Sequence, residues 1–447
     1  LGNGGAGGWL EMKMLKKRRK ILFAAAAGMA VSFCYTAGAL LEQYESLDLT
    51  DGSFYLKWLC FGVAAGAVLY GLWEAADRYG DRIASSPLFT KIRFPLQPWL
   101  CAVILFLCWL PVWLSIFPGA FAYDAFDEWE QVRNRMITSH HPVMHVVLLG
   151  GLTEGFYALT GSYNAGIGVY TFVQMVLLAF LLTRSLFFLQ EFHVPDLFCW
   201  IGLVFYAVSP VIQLFAVSAT KDVLFSAVQL LFLQELIRIS CRSEAFFNSR
   251  KRLLSFGITA FFTMTLRNNG FYIVLVTLAA VVVGYRRYWK KFLPVLLGIG
   301  LAYAGYVGPC YSALHVTGGS VAEMLSVPIQ QMARVYQYDY ESLEQEDLDL
   351  LYQVIPRENL DRYRASVADF VKAGFQQEAF RENSKEFFFL WFKWGREHLL
   401  TYINSFLINT VDFWYPNAVV DGYRDAYGRS SYFDYKVSQP GEEVVLL

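Results

Sequence analysis

The sequence predicts an all-α polytopic membrane protein. Hydrophobic residues make up 56% of the 447 residues and charged residues only 17%. Ordinary soluble domains have about 45–50% apolar and about 25% charged residues. The apolar residues occur in blocks close to the ~20 residues that a membrane-spanning helix needs. This pattern excludes a soluble enzyme and a disordered scaffold. A net charge of −1 provides no overall field that would favour nucleic acid.

Seven apolar segments are predicted to cross the membrane, and they are 21–41, 55–74, 98–117, 164–183, 197–217, 222–239 and 292–310. A further apolar run, 253–285, is interrupted by Arg267-Asn268-Asn269-Gly270. We expect a hairpin of two short helices there, with Arg267 near its apex. A broken helix at membrane depth is tolerated only where it is buried in protein or lines a cavity.

Clusters of basic residues predict the orientation, because Lys and Arg favour the cytoplasmic side of a membrane. The clusters lie at 16–20, 78–93, 238–252 and 286–291. Placing all of them inside leaves 42–54, 118–163 and 218–221 outside. If the apolar stretch 142–160 crossed the membrane, the later basic clusters would lie on the outer side. The stretch is therefore predicted to be a juxtamembrane or re-entrant helix on the outer face.

Three regions follow from this layout. Residues 1–20 are expected to combine a glycine-rich expression remnant with a basic cytoplasmic N-terminus. Residues 21–310 are expected to form a transmembrane helical module with a first outer loop at 118–163. Residues 311–447, in which acidic residues are frequent, are expected to form an external helical insertion and an amphipathic C-terminal region. Segment 388–447 could hold one more span or helices lying in the interface.

Acidic side chains open the first outer loop. Asp124, Asp127 and Glu128 have i, i+3 and i+4 spacing, so a helix would carry all three on one face. Crowded like charges beside an apolar boundary raise the pKa of a carboxyl group, which suits a general base. The alternative is a solvated acidic helix at the membrane interface.

Three histidines follow in Ser139-His140-His141-Pro142-Val143-Met144-His145. His141 and His145 have the i, i+4 spacing of metal ligands, but the glutamate of an HExxH motif is missing. We expect His140, His141 and His145 to orient a substrate or the acidic loop rather than to bind a metal. Pro142 suits the first turn of a helix.

Charged residues also occur at the predicted outer end of the sixth span, where Lys221 and Asp222 follow Ser218-Ala219-Thr220. Charges between two apolar spans are costly unless they are functional or paired. An interfacial Lys–Asp pair is the simpler interpretation.

More cations and amides are expected outside the membrane. Arg267 and Asn268 lie at the apex of the hairpin, and Gln331 and Arg334 lie in Pro328-Ile329-Gln330-Gln331-Met332-Ala333-Arg334. Together with Lys221, these residues predict a site for a lipid-linked phosphate, which requires positive charge and hydrogen-bond donors.

This layout resembles the GT-C class of membrane glycosyltransferases, in particular protein O-mannosyltransferases and aminoarabinose transferases. The resemblance rests on a span followed by a long outer loop that opens with acids, and on a juxtamembrane helix that starts with His141-Pro142. It implies a polyprenyl-phosphate sugar donor and a catalytic aspartate in the first outer loop. Asp124 matches that position, and Asp127 or Glu128 matches it less well.

The same resemblance implies that Asp222 belongs to a second acidic motif and that Arg267 contacts the donor phosphate. Two features depart from the GT-C class: a pair of spans precedes the span before the acidic loop, and the insertion after 311 is not a recognised sugar-binding domain. Most of the chain also resembles an uncharacterised family of bacterial multi-pass proteins, through the segments HHPVMH, ATKDVLFS, LRNNG, PIQQMARV and DFWYP.

The predicted function is the transfer of a hexosyl or pentosyl group from a polyprenyl-phosphate donor to an acceptor hydroxyl on the extracytoplasmic face of a bacterial cell membrane. Asp124 would take the proton from the acceptor, and Lys221, Arg267 and Arg334 would stabilise the departing phosphate. The expected partners are the lipid-linked sugar, membrane lipids and a cell-envelope glycan, lipid or protein as acceptor, with no nucleic acid.

A divalent cation, Mg²⁺ or Mn²⁺, stays open as a cofactor because clustered carboxylates can bind one, and no metal ligand is assigned. The main alternative is a transporter or flippase of a lipid-linked glycan, which would use the same cations and the broken helix. Polar motifs concentrated on the outer side favour the enzyme. A purely structural protein would leave the charges at membrane depth unexplained.

Overall fold

A computed structural model describes residues 4–121 and 124–417 of the chain. Over these residues the chain forms helices and isolated bridges but no β-strand, which confirms the predicted all-α class. Residues 1–3, 122–123 and 418–447 lie outside the described part. The end of the predicted amphipathic region 388–447 is among them.

The first half of the described chain contains the long helices. In chain order they are α1 (Gly4–Tyr44), α2 (Gly52–Ala84), α3 (Pro87–Lys91), α4 (Pro98–Ser115), α5 (Asp124–Arg133), α6 (Val143–Thr160), α7 (Tyr163–Glu191), α8 (Asp196–Val208), α9 (Pro210–Ala216), α10 (Lys221–Phe247), α11 (Arg250–Leu266), α12 (Gly270–Gly284) and α13 (Trp289–Gly305).

Shorter helices follow a π-helical turn at Tyr306–Cys310. They are α14 (Tyr311–Ala313), α15 (Val321–Met324), α16 (Ser326–Tyr338), α17 (Gln345–Val354), α18 (Arg357–Leu360), α19 (Asp369–Lys372), α20 (Gln377–Glu382), α21 (Ser384–Glu397), α22 (Leu399–Asn409) and α23 (Val411–Trp414). Between 320 and 417, no described helix is long enough to be a candidate span.

Seven described helices are long and apolar enough to cross a membrane, and they are Lys17–Tyr44, Gly52–Ile83, Pro98–Ser115, Val143–Thr160, Tyr163–Glu191, Lys221–Phe247 and Arg286–Ala313. Six of them coincide with predicted spans. The predicted span 197–217 is instead two helices, α8 and α9, bent by 60° at Ser209. The bend has a local cause, because Pro210 disfavours helical backbone at the preceding residue.

Helix α6 also has the length and composition of a span, although 142–160 was predicted to stay on the outer face. Helix α5 packs against α6: Glu128 bonds to His145 near the start of α6, and the Trp129 indole donates to Glu154 at 2.7 Å. Helix α5 has 10 residues and is about 15 Å long, half of the ~30 Å hydrocarbon core. Helix α6 is therefore a candidate span by length and composition, and its juxtamembrane or re-entrant position stays a prediction.

The described chain divides into two compact units, one formed by 4–83 with 320–417 and the other by 84–319. The predicted division placed 21–310 in one module. In the structure, α1 and α2 instead group with the residues after 320. Ala37 and Leu41 of α1 are fully buried and pack against Ile408 and Val411. Hydropathy alone does not reveal such a contact, because it reports how apolar a helix is and not which helix covers it.

The first unit has its main core around α16. Ile329, Met332 and Ala333 are fully buried there, and their i, i+3, i+4 spacing makes one apolar stripe that packs against α21 and α22. The predicted external insertion after 311 therefore has a compact hydrophobic core of its own.

The second unit contains the predicted hairpin, which α11 and α12 form. Phe247 precedes α11, and its ring lies 5.9 Å from that of Tyr285, which follows α12, so the two helices run antiparallel. Arg267 ends α11 at the turn, as predicted. Gly270 is required there, since a Cβ would lie 1.8 Å from the Thr263 carbonyl oxygen.

Candidate active site

The end of α4 is attached to the neighbouring helices by backbone hydrogen bonds. Gly119 has a φ of +115°, and a Cβ at this position would lie 2.6 Å from the Val217 carbonyl oxygen. The Ala120 amide donates to Val217, and the Ala219 amide donates to Ala120. This pairing fixes the residues before α5 against the residues before α10, although the two segments are about one hundred positions apart.

The first residues of α5 and α10 therefore meet. The Lys221 ammonium forms an ion pair with the Asp124 carboxylate, lies 3.3 Å from His141 Nδ1 and lies 3.9 Å from Glu128 Oε1. The Lys221 side chain is only 12% exposed, whereas Asp124 is 54% exposed and Glu128 is 1% exposed. One half-buried cation thus lies beside an accessible carboxylate and a buried one.

Asp127 differs from its two neighbours. It is exposed and has no hydrogen bond or ion pair to any residue that the structure describes. The predicted face of three carboxylates therefore reduces to Asp124 and Glu128, which are one helical turn apart. Lys221 and the packing of α6 cover only the part of the face where these two side chains lie.

The electrostatics of Asp124 differ from the expectation of a raised pKa. Burial raises the pKa of the Asp124 carboxyl. The charge and the hydrogen bond of Lys221 together lower this pKa by more, so the net pKa lies below the ordinary value of 3.8. Burial and the Lys221 charge both lower the pKa of His141 below 6.5. At neutral pH, Asp124 is therefore an ionised, accessible proton acceptor beside a neutral imidazole.

A second ion pair follows directly along α10. Asp222 bonds to Arg267 at the hairpin turn, and the Arg267 guanidinium also lies 5.8 Å from the centre of the Phe225 ring. The Asp222 and Arg267 side chains are 33% and 39% exposed. Lys221 and Asp222 are consecutive, so both ion pairs start from the first turn of α10 and make up a chain of charged residues there.

The histidine segment is held beside this chain. Asn268 Nδ2 donates to the carbonyl oxygens of Ser139 at 3.2 Å and His140 at 3.0 Å. The Ser139 amide donates to the Thr317 carbonyl at 2.9 Å. The His140 imidazole is exposed and contacts the ring of His141. Asn268 thus acts on the loop backbone and places His141 beside Lys221.

A buried polar network lies under the ion pairs. Gln174 Nε2 donates to the carbonyl oxygens of Ala216 at 3.1 Å and Ser218 at 2.8 Å, which leaves its Oε1 to accept a bond from the Tyr170 hydroxyl at 2.8 Å. Both side chains are about 1% exposed. Sequence reasoning did not identify Tyr170 and Gln174, although their i, i+4 polar pattern inside an apolar span was a usable signal.

The directions of these hydrogen bonds determine that Nε2 of His145 carries a proton. The Tyr170 hydroxyl has one proton and gives it to Gln174, so it must accept from His145 Nε2, which lies 2.6 Å away. His145 Nδ1 bonds to Glu128 Oε2. Both ring nitrogens are therefore occupied, which prevents His145 from serving with His141 as a metal ligand.

Two buried polar atoms in the cluster have no hydrogen-bond partner in the described structure. They are Glu128 Oε1 and His141 Nε2. Lys221 donates to His141 Nδ1, so Nε2 carries the proton of the neutral ring. Buried polar groups in proteins nearly always have a partner. The cluster thus retains one acceptor and one donor that a bound molecule could satisfy.

Gln331 and Arg334 belong to the first unit. Gln331 accepts from the Trp391 indole at 2.9 Å, and Arg334 donates to the Tyr363 hydroxyl at 3.1 Å and to the Glu45 carbonyl. The Arg334 side chain is buried. Both residues hold together segments of that unit. No described group of three or more His, Cys, Asp or Glu side chains is arranged to hold a metal ion.

A family model described as a family of unknown function, DUF6020, matches residues 132–439, which is more than half of the chain. The chain belongs to the DUF6020 family. No curated protein matches it, and no solved structure matches it. The part that matches the DUF6020 model contains His141, Lys221 and Arg267, and it begins after Asp124 and Glu128.

Proposed function

We propose that this DUF6020 protein is a membrane glycosyltransferase that moves a sugar from a polyprenyl-phosphate donor to an acceptor hydroxyl on the extracytoplasmic face. The proposal rests on one observation: at the ends of apolar helices, the exposed carboxylate of Asp124 pairs with Lys221, and the next residue, Asp222, pairs with Arg267. Inverting sugar transfer requires a carboxylate base on one side of the anomeric carbon and stabilisation of a departing anion on the other.

Asp124 is the proposed general base. Its lowered pKa keeps it ionised at neutral pH, and its exposure makes it accessible to an acceptor hydroxyl. As the acceptor oxygen attacks the anomeric carbon, its proton passes to Asp124 and the bond from the sugar to the phosphate oxygen breaks. The electron pair of that bond stays with the polyprenyl phosphate.

Lys221 and Arg267 are the proposed partners of the phosphate. Each of them is paired with a carboxylate in this structure, so an arriving phosphate would compete with Asp124 and Asp222 for the same cations. A donor phosphate that takes over Lys221 would release Asp124 as a freer base. The Nε2–H of His141 supplies a further donor beside Lys221. Donor binding and base activation would in this way be coupled through one ammonium group.

The proposal is tested with purified protein in proteoliposomes that contain undecaprenyl phosphate joined to radiolabelled mannose or arabinose. Membranes of the expressing cells supply acceptors, and the loss of label from the lipid donor measures both transfer and hydrolysis. Asp124→Asn should lower the rate about 10²–10⁴-fold, the usual contribution of a general base.

Asp127→Asn is the matched control, because Asp127 is exposed on the same helix and has no partner in the described structure. It should retain the wild-type rate. Undecaprenyl phosphate alone should raise the unfolding temperature of the wild type but not that of Lys221→Gln. Wild-type turnover by Asp124→Asn, or equal stabilisation of Lys221→Gln, contradicts the proposal.

A second candidate, a transporter of a lipid-linked glycan, is favoured by a polar cluster toward the other end of α10. Glu235 and Arg238 are buried, and Arg238 bonds to Glu191 at 2.9 Å and to Glu235 at 3.1 Å. The sequence suggested that the polar motifs are concentrated on the outer side. This cluster shows that buried polar groups also occur away from the predicted outer end of α10. Flipping of a fluorescent polyprenyl-phosphate sugar in proteoliposomes that is lost in Glu235→Gln would support this candidate over the enzyme.

A further inference from the structure

A large apolar cavity lies in the second unit between α11 and α13, away from the ion pairs. Its volume is about 820 Å³, within the ~300–1,000 Å³ of typical ligand sites. Leu254, Ile258 and Phe262 line one wall from α11, and Pro294 and Gly298 line the other from α13. Gly298 opens onto this space, since a Cβ there would meet nothing within 4 Å.

One end of this cavity is cationic. Arg250, Lys291 and Asn248 lie there, where α11 begins and α13 has just begun. Lys291 donates to the neutral Asn248 amide oxygen, and Arg250 has no ion pair with any described residue. No carboxylate lines the cavity over the described residues. The mouth therefore carries two positive charges that no lining side chain compensates.

The dimensions match one leaflet of a bilayer. From Arg250 to Phe262 the α11 wall rises twelve residues, or about 18 Å. Half of a hydrocarbon core is about 15 Å thick. An apolar chain that begins at the cationic end would thus lie along the wall for the depth of a single leaflet. Basic side chains at that end place it on the cytoplasmic side by the charge rule.

We propose that this cavity binds one acyl chain of an anionic phospholipid from the cytoplasmic leaflet, with the lipid phosphate contacting Arg250 and Lys291. The occupant is a phospholipid rather than the glycosyl donor. The donor phosphate is proposed to bind at Arg267, which ends α11 at the opposite end of that helix. The lipid site depends on the membrane location of the protein and not on sugar transfer.

The test uses purified full-length protein reconstituted with dioleoylphosphatidylglycerol or dioleoylphosphatidylcholine, followed by native mass spectrometry of the bound lipid. The wild type should retain one phosphatidylglycerol in preference to phosphatidylcholine. Each cation near an anionic lipid surface contributes about fivefold to affinity. Lys291→Gln should reduce the preference about fivefold, and Lys291→Gln with Arg250→Gln about 25-fold.

Two neighbours on α13 serve as controls, since neither lines the cavity. Lys290→Gln should leave the preference unchanged. Gly298→Leu should fill the cavity and expel the lipid, whereas Gly300→Leu, where a Cβ also meets nothing within 4 Å, should not. Equal retention of the two lipids by the wild type overturns the proposal. So does a Gly298→Leu variant that folds and still holds phosphatidylglycerol.

Discussion

The buried hydroxyl of Tyr170 is the most informative single group to remove. It is the one hydrogen-bond partner that the described structure gives to His145 Nε2 and to Gln174 Oε1. It accepts from His145 Nε2 at 2.6 Å and donates to Gln174 Oε1 at 2.8 Å. Tyr170→Phe keeps the ring and deletes only the oxygen. The variant then buries one donor and one acceptor without partners.

The expected size of the effect follows from those two groups. Leaving a buried donor or acceptor unsatisfied costs about 1–3 kcal/mol, so Tyr170→Phe should lower the free energy of unfolding by about 2–6 kcal/mol. That is a large part of the ~5–15 kcal/mol by which domains are typically stable. The measurement is denaturant-induced unfolding in detergent micelles, followed by tryptophan fluorescence.

Tyr303→Phe is the matched control. Tyr303 lies in the same unit, its ring stacks on Phe271, and its hydroxyl has no hydrogen bond in the described structure. Its loss should change the free energy of unfolding by no more than about 0.5 kcal/mol. If Tyr170→Phe were as mild as this control, the inferred proton arrangement on His145 and Gln174 would be wrong.

Three further predictions test other parts of the cluster. Gly119→Ala should unfold at a lower temperature than the wild type, because φ is +115° and backbone fills the space, whereas Gly151→Ala, in open space, should gain up to about 1 kcal/mol. The pKa of His141 is lowered in the folded state, so below pH about 6.5 the unfolded chain binds the proton first and the free energy of unfolding falls. His141→Gln should weaken this loss of stability at acidic pH. Identical curves of stability against pH for the variant and the wild type would contradict the prediction. Lys221→Gln should raise the pKa of Asp124, so the acid limb of the pH–rate profile should move to higher pH. An acid limb at the wild-type pH would contradict the claim that Lys221 sets the pKa of the catalytic base.

Hydropathy was sufficient to predict the helical class and most candidate spans. Transfer of a side chain from water to an apolar phase is a local property, so a run such as 222–239 reveals itself without knowledge of its neighbours. The hairpin turn at Arg267 was also readable, since Arg267-Asn268-Asn269-Gly270 interrupts an apolar run. The bend before Pro210 had a local signal too, in the proline itself.

The composition of the candidate site was only partly readable. Helical spacing placed Asp124, Asp127 and Glu128 on one face, but it did not say which part of that face another helix covers. Packing against α6 and Lys221 buries Glu128 and leaves Asp127 in the open. The same limit applies to the pKa of Asp124, whose direction depends on a cation about one hundred residues away.

The sequence by itself determined that this chain is helical, apolar enough to cross a membrane and polar at particular helix ends, because each of these properties is a sum over neighbouring residues. The tertiary structure alone decided that Lys221 faces Asp124, that Tyr170 and Gln174 support His145, and that Arg334 belongs to another unit. Those facts depend on contacts between segments far apart in the chain. Such contacts are set by how whole helices pack and not by the preference of any one residue.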